Sequence, residues 1–217
     1  MTAVLALEGV ALAIGSGAER QPILHGLSLD FGAGGFHCLG GPSGSGKTTV
    51  LSLLAGIVVP DSGHVRHHGQ PLAADARARQ LWRVRTVALA FQTNRLIDIL
   101  TVAEHLALVA RVRGDAGAVA RGRDWIARFG LADKLGHRPA QLSGGEKARV
   151  ALAQALAAAT PVLLADEPTA ALDSHNADFV ARTLRDHAET AGATVIAVSH
   201  DQAMMDRAHV NITLGKA

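Results

Sequence analysis

The stretch GPSGSGKTT, from Gly41 to Thr49, is the part of the chain whose residue types most directly dictate a chemistry. It fits the pattern G-x-x-x-x-G-K-[ST] and stands between an apolar run, FHCLG from Phe36, and a helix-forming run, TVLSLLAGI from Thr49. Gly41, Gly44 and Gly46 let the backbone curl so that successive N–H groups point inward at phosphate oxygens, and the helix that follows adds the partial positive charge of its N-terminus. Gly41, Pro42, Ser43, Gly44, Ser45, Gly46, Lys47, Thr48 and Thr49 are therefore candidate nucleotide-binding residues. Lys47 is expected to bridge the β- and γ-phosphates, and Thr48 to offer its hydroxyl to Mg²⁺. The bland alternative is a glycine-rich turn before a helix, and the flanking runs argue against it.

Two further stretches carry chemistry. VLLADEP, from Val162, sets Asp166 and Glu167 at the tip of an apolar strand that Pro168 stops. Adjacent acids at a strand end are often merely solvated, but these follow a phosphate loop by about 120 residues. In that company Asp166 is the candidate for the Mg²⁺ shell, and Glu167 for the general base that orients and deprotonates an attacking water. LSGGE, Leu142 to Glu146, poses a question: a second serine and glycine pair stands about a hundred residues beyond the first loop, and one nucleotide does not need two cradles from one chain.

The elements that must position these residues are legible in outline. FHCLG from Phe36, TVALAFQ from Thr86, VLLAD from Val162 and TVIAVSH from Thr194 are continuously rather than alternately apolar. That pattern predicts strands covered on both faces, a parallel sheet wrapped by helices, with functional residues at the carboxyl ends. VLALEGVAL, ILHGLSLDF and, after the turn PDSG, HVRHHG predict antiparallel strands. From Gln92 to Leu142 the pattern turns helical: Thr101 and Glu104 form a capping box, Val102, Leu106 and Val109 recur at helical spacing, and a second helix is expected over Ala116 to Phe129. VALAQALAAATPVLLA, interrupted by Gln154, Thr160 and Pro161, predicts a buried helix running into a buried strand and is too broken to span a bilayer.

Composition sets only broad bounds. A chain of 217 residues with 48% hydrophobic content has ample material for a core, and its formal charge of +2 names no partner because the 21 Lys and Arg are scattered. The single Cys38 excludes an internal disulfide, and MTAVLALEGV lacks the basic flank and cleavage pattern of a signal peptide, so a reducing cytosolic setting is expected. The cluster His64, His67 and His68 is expected at a hairpin edge rather than on a metal, since no Cys or carboxylate stands at ligand spacing.

Taken together, the motifs resemble those of an ABC-transporter ATPase over nearly the whole chain. LSGGE is similar to the family's signature, FQ ending at Gln92 to its Q-loop, LADEP to its Walker B strand, AALD ending at Asp173 to its D-loop, and SHD, with His200, to its switch histidine. The resemblance implies an α/β P-loop NTPase fold: a mostly parallel sheet, an N-terminal antiparallel β subdomain and an inserted helical subdomain at approximately 93–141, all in one domain over 1–217. It also implies ATP and Mg²⁺ as ligands and a head-to-tail pair, either a homodimer or a pairing with another ATPase subunit. In such a pair Ser143, Gly144 and Gly145 close over the nucleotide held by the other copy. That would answer the question LSGGE poses. His200 is expected at the γ-phosphate, Gln92 near Mg²⁺ and Asp173 across the dimer.

By the same resemblance the partner is an integral membrane permease on a separate chain, with this chain peripheral on the cytoplasmic face of the membrane and no nucleic acid involved. The docking groove is expected near Gln92, with TNRLIDILT from Thr93 as one wall, although its apolar residues could equally be subdomain core. A regulatory or scaffold subunit acting on a permease-like partner without transport is the alternative. An ATPase acting on DNA or ribosomes would be expected to bring coiled coils, a tandem domain or a basic extension. LADEPTAALD is most similar to the ATPases of lipoprotein release and macrolide export. It departs from their usual LADEPTGNLD, from the two glutamines that usually stand where this chain has Lys147 and Ala148, and from the aromatic residue that usually stacks on adenine where this chain has Ile14.

Overall fold

The computed structural model describes residues 3–15, 20–91 and 96–215. Two sheets organise it. The first is antiparallel, built from β1 (Ala3–Ile14), β2 (Gln21–Gly32), β4 (Ser62–His67) and the short β5 (Gln70–Pro71), in the order β2-β1-β4-β5. The second is parallel and holds β3 (Phe36–Gly40), β6 (Val87–Ala90), β7 (Val162–Asp166), β8 (Thr194–Val198) and β9 (Val210–Thr213), in the order β6-β7-β8-β3-β9.

Every residue of β3, β7 and β8 is buried, as continuous apolar runs require of strands covered on both sides. Alternation decides which layer each side chain joins. Leu163, Ala165, Val195 and Ala197 face one core, with Val102 and Leu106 of α3 (Val102–Arg113), Ile126 of α4 (Gly117–Arg128), Val150 and Leu156 of α5 (Gly144–Ala157), and Val180 and Leu184 of α6 (Ser174–Ala191). Val162, Leu164, Ile196 and Val198 face the other, with Val50, Leu53 and Leu54 of α1 (Lys47–Leu54) and the inner face of the antiparallel sheet, including Leu5, Leu7 and Phe31. Each fully buried Leu here contributes about 1.5–3 kcal/mol relative to exposure.

The helical region after β6 forms as its signals predict. Thr101 Oγ1 accepts from the Glu104 backbone N–H at 3.2 Å and the Glu104 carboxylate accepts from the Thr101 N–H at 2.7 Å, closing the capping box of α3, which Gly114 ends in a left-handed conformation. α4 covers the expected second helix, with Ala116 and Phe129 as its caps. Three elements carry too weak a sequence signal to be expected. α2 (Ala76–Thr86) buries only Thr86, β9 is a short, largely exposed edge strand, and α7 (Gln202–Arg207) buries only Met204. The three histidines lie on and just after β4, where His67 packs against His68 and the edge of Trp82. Among the described residues no helix is long and apolar enough to cross a membrane.

Candidate functional site

Strand order builds the site. β7, β8 and β3 are neighbours, with Asp166 level with Val198 and Leu39 also level with Val198, so three adjacent strands end together. The phosphate loop leaves β3, the two acids leave β7 and Ser199–His200 leave β8. Backbone bonds lock these exits to one another: the Glu167 N–H donates to Val198 O at 2.9 Å, and the Ser199 N–H to Leu39 O at 3.2 Å. The result is one open cleft of about 560 Å³ lined by residues of the loop together with Asp166, Glu167, His200 and, from β2, Ile23.

The loop takes the curled form its glycines permit. Gly41, Gly44 and Gly46 have φ of 135°, 82° and 84°, and Gly46 is the N-cap of α1. A Cβ on Gly46 would lie 3.0 Å from Leu24 and 3.1 Å from Ile23, and one on Gly41 would collide with Leu214 O at 2.4 Å. Lys47 Nζ donates to the carbonyls of Gly41 and Pro42, each at 2.8 Å, which holds the ammonium over the mouth of the loop. Ser43 and Thr49 line the same cleft. Ser45 is buried, and its hydroxyl has no hydrogen-bond partner among the described residues.

The acids differ in setting. Asp166 is buried, and Thr48 Oγ1 lies 3.4 Å from its Oδ1. Burial raises its pKa and the neighbouring Glu167 adds to the rise, against the Thr48 hydroxyl and Lys47, which lower it. Glu167 is held at φ 48°, a left-handed backbone that a non-glycine residue rarely adopts, and its Oε1 lies 2.9 Å from His200 Nδ1. That hydrogen bond is the leading cause of a raised pKa at His200. Cys38 lies within β3; burial first, then the Glu167 and Asp201 carboxylates, push its thiol up to about 11, so it stays protonated.

Ser143, Gly144 and Gly145 lie elsewhere. They open α5, where Ser143 Oγ accepts from the Glu146 N–H at 3.2 Å and the Glu146 carboxylate accepts from the Ser143 N–H at 2.8 Å. A second cleft of about 430 Å³ is lined by these residues with Arg149, Ala171, Leu172, Asp173 and Asn176, and it shares no lining residue with the first. Asp173 caps α6, its Oδ1 accepting from the Asn176 N–H at 2.8 Å. Two helix N-termini therefore converge on this cleft. The structure thus brings the loop, Asp166, Glu167 and His200 into one place and Ser143 to Gly145 with Asp173 into another. Gln92 falls outside the described residues, as do Thr93 and its two successors in TNRLIDILT, while Ile97 and Ile99 of that stretch are exposed. Sequence reasoning missed Ile23, which borders the loop only through the fold, and Arg149, whose spacing of four from Gly145 along a helix could have placed it on the cleft side.

Comparison with known proteins gives a family and a fold. The family model described as ABC transporter matches residues 24–170. The lipoprotein-releasing system ATP-binding protein LolD of Anaeromyxobacter dehalogenans (strain 2CP-C) is 41% identical over 212 residues, covering 95% of this chain and 88% of its own length. The macrolide export ATP-binding/permease protein MacB 1/2 of Paracoccus denitrificans (strain Pd 1222) is 39% identical over 210 residues, covering 95% of this chain but 31% of its own length. Among solved structures, the dimeric post-hydrolysis state of the ATP-binding cassette MJ0796 bound to ADP and Pi superposes with a TM-score of 0.90 at 31% identity, covering 97% of this chain and 94% of that one.

Proposed function

The chain belongs to the ABC transporter family, and on that premise we propose that it binds and hydrolyses ATP as the nucleotide-binding subunit that powers a membrane permease carried on a separate chain. One observation carries the reading: a single chain holds two clefts built for anions, and they have no lining residue in common. A nucleotide seated on the phosphate loop leaves the Ser143 cleft without a phosphate of its own. Two copies set head to tail lay each Ser143 cleft over the nucleotide of the other. The dimeric state of the MJ0796 cassette supports such pairing, whether as a homodimer or with another ATPase subunit.

In this reading the loop amides and Lys47 grip the β- and γ-phosphates. Glu167 takes a proton from a water whose oxygen attacks the γ-phosphorus; the bond from that phosphorus to the bridging oxygen breaks, releasing ADP and phosphate. His200, joined to Glu167, stabilises the charge that builds on the γ-phosphoryl oxygens. Thr48 and Asp166 bring a hydroxyl and a carboxylate to within 3.4 Å, a hard-oxygen pair that suits Mg²⁺, and Gln92 is the proposed third contributor. When bound, that ion would neutralise phosphate charge. Ser143, Gly144, Gly145 and Asp173 act on the nucleotide of the paired copy, so that ATP links the subunits while its γ-phosphate lasts and hydrolysis releases them.

The whole of 1–217 is read as one ATPase domain, with the helical insertion at approximately 93–141 and exposed Ile97 and Ile99 beside the permease groove. Through that permease the chain sits on the cytoplasmic face of the membrane. The test is Glu167→Gln. The variant should bind ATP, lose turnover and form an ATP-dependent dimer by size-exclusion chromatography, whereas the parent should return to monomer or an open dimer. Parental hydrolysis in the variant removes Glu167 as the base, and absence of the trapped dimer removes head-to-tail pairing. Co-purification with a membrane protein followed by transport assays in vesicles separates a transport subunit from a regulatory one.

A further inference from the structure

We infer that Arg149 is a second nucleotide-binding group of the Ser143 cleft, one that binds the terminal phosphate of the ATP held by the paired copy. The inference rests on the shared-site reading above and adds to it a residue outside the signature stretch.

Four observations point this way. Arg149 lines the cleft with Ser143, Gly144 and Gly145, and its Nη1 lies 3.7 Å from where a Cβ on Gly145 would stand, so the guanidinium reaches back along α5 toward the helix N-terminus. It makes no side-chain hydrogen bond among the described residues, and its Nε is buried without a partner. Such donors are seldom left unmatched.

The two carboxylates beside the cleft make no hydrogen bond to Arg149 among the described residues, although, after the larger effects of the Glu146 bonds to Ser143 and of the Lys134 charge, its charge helps hold the Glu146 carboxyl below the usual range. Glu146 accepts from the Ser143 N–H at 2.8 Å and lies 3.9 Å from Lys134 Nζ, while Asp173 spends both oxygens on Asn176, at 2.8 Å each. Finally, the space in front of the guanidinium is bordered by the starts of α5 and α6, both of which favour negative charge. A planar guanidinium lining a cleft between two helix N-termini suits a dianionic phosphoryl group better than it suits a single carboxylate.

The γ-phosphate is what distinguishes ATP from ADP, so Arg149 would make the pairing of subunits selective for the triphosphate. The test uses the full chain carrying Glu167→Gln, with ATP and ADP as probes and dimer formation read by light scattering, beside ATP binding by the monomer at low protein concentration. Arg149→Ala should raise the ATP concentration needed for dimerisation by about tenfold or more, as loss of a charge-assisted contact implies. Arg149→Lys should recover part of that loss, and monomer affinity for ATP should stay within about twofold, which also reports on folding. Ser143→Arg is the reference. If it blocks the dimer while Arg149→Ala dimerises like its parent, Arg149 has no such role and the shared site stands. If neither variant affects the dimer, the shared-site reading fails and this inference with it.

Discussion

His200 Nδ1 lies 2.9 Å from Glu167 Oε1, so the group assigned to charge stabilisation and the group assigned to proton abstraction are joined to each other across the ends of β8 and β7. The pair is asymmetric: the His200 side chain is 77% exposed and that of Glu167 only 12%. The other carboxylate oxygen, Oε2, is buried with no hydrogen-bond partner among the described residues.

The bond predicts a titration. Because Glu167 raises the pKa of His200, the fold holds the imidazolium more firmly than the unfolded chain does. Its contribution is complete below the ordinary histidine value of about 6.5 and is lost as pH rises through the higher folded value. Two-dimensional NMR of the histidine rings should show His200 titrating above the ordinary range in the parent and returning toward it in Glu167→Gln. An unchanged midpoint in that variant would show that Glu167 is not the cause.

The glycines of the loop make separable predictions. At Gly41, with φ 135°, an alanine meets both an unfavourable backbone and a collision with Leu214 O at 2.4 Å. At Gly44, with φ 82°, nothing lies within 4 Å of the added Cβ, so backbone strain acts alone. Strain of this kind costs about 1–3 kcal/mol, or roughly 2–12 °C in Tm for a chain of this size. Gly41→Ala should fall beyond Gly44→Ala in thermal denaturation and should also displace the carbonyl that Lys47 grips. Equal melting temperatures for the two variants would mean that Leu214 yields to the intruding methyl.

How far the site was legible depended on whether its residues are neighbours in sequence or only in space. The loop, the acid pair and the Ser143 cap are local patterns, and each formed as read because its geometry is set by glycines, a strand end or a capping box a few residues long. β3, β7 and β8 were legible because burial on both faces writes itself as an unbroken apolar run. α2 was not, since ARARQLWRVRT buries too little to show a stripe, and neither was β9, whose edge position leaves three of four residues exposed. α6 went unread although it carries a stripe, with Ala177, Val180, Ala181, Leu184 and Ala188 at helical spacing. Helical spacing sets Arg149 on the Gly145 side of α5, but what it meets there follows from the placement of Ala171 to Asp173, which no local pattern announces.

Ile14 carries the last prediction. It ends β1, pairs with Gln21 and is 54% exposed, and two residues beyond Gln21 on β2 is Ile23, which lines the phosphate-loop cleft. Ile14 therefore stands on the strand beside the β2 segment that borders the phosphate-loop cleft, where the base of a bound nucleotide is proposed to lie. An isoleucine there offers a purine an apolar surface but no aromatic ring, and the chain contains no Tyr at all. Phosphate contacts do not read the base, so ATP and GTP should bind the parent within about threefold of each other, given that an aromatic stack is worth about 0.5–1.5 kcal/mol. Ile14→Tyr should tighten both nucleotides by about two- to tenfold and leave inorganic tripolyphosphate unchanged, as competition against a fluorescent nucleotide would show. Tripolyphosphate tightening to the same degree would place the effect in the loop rather than at the base, and a strong preference of the parent for ATP would mean that another group reads adenine.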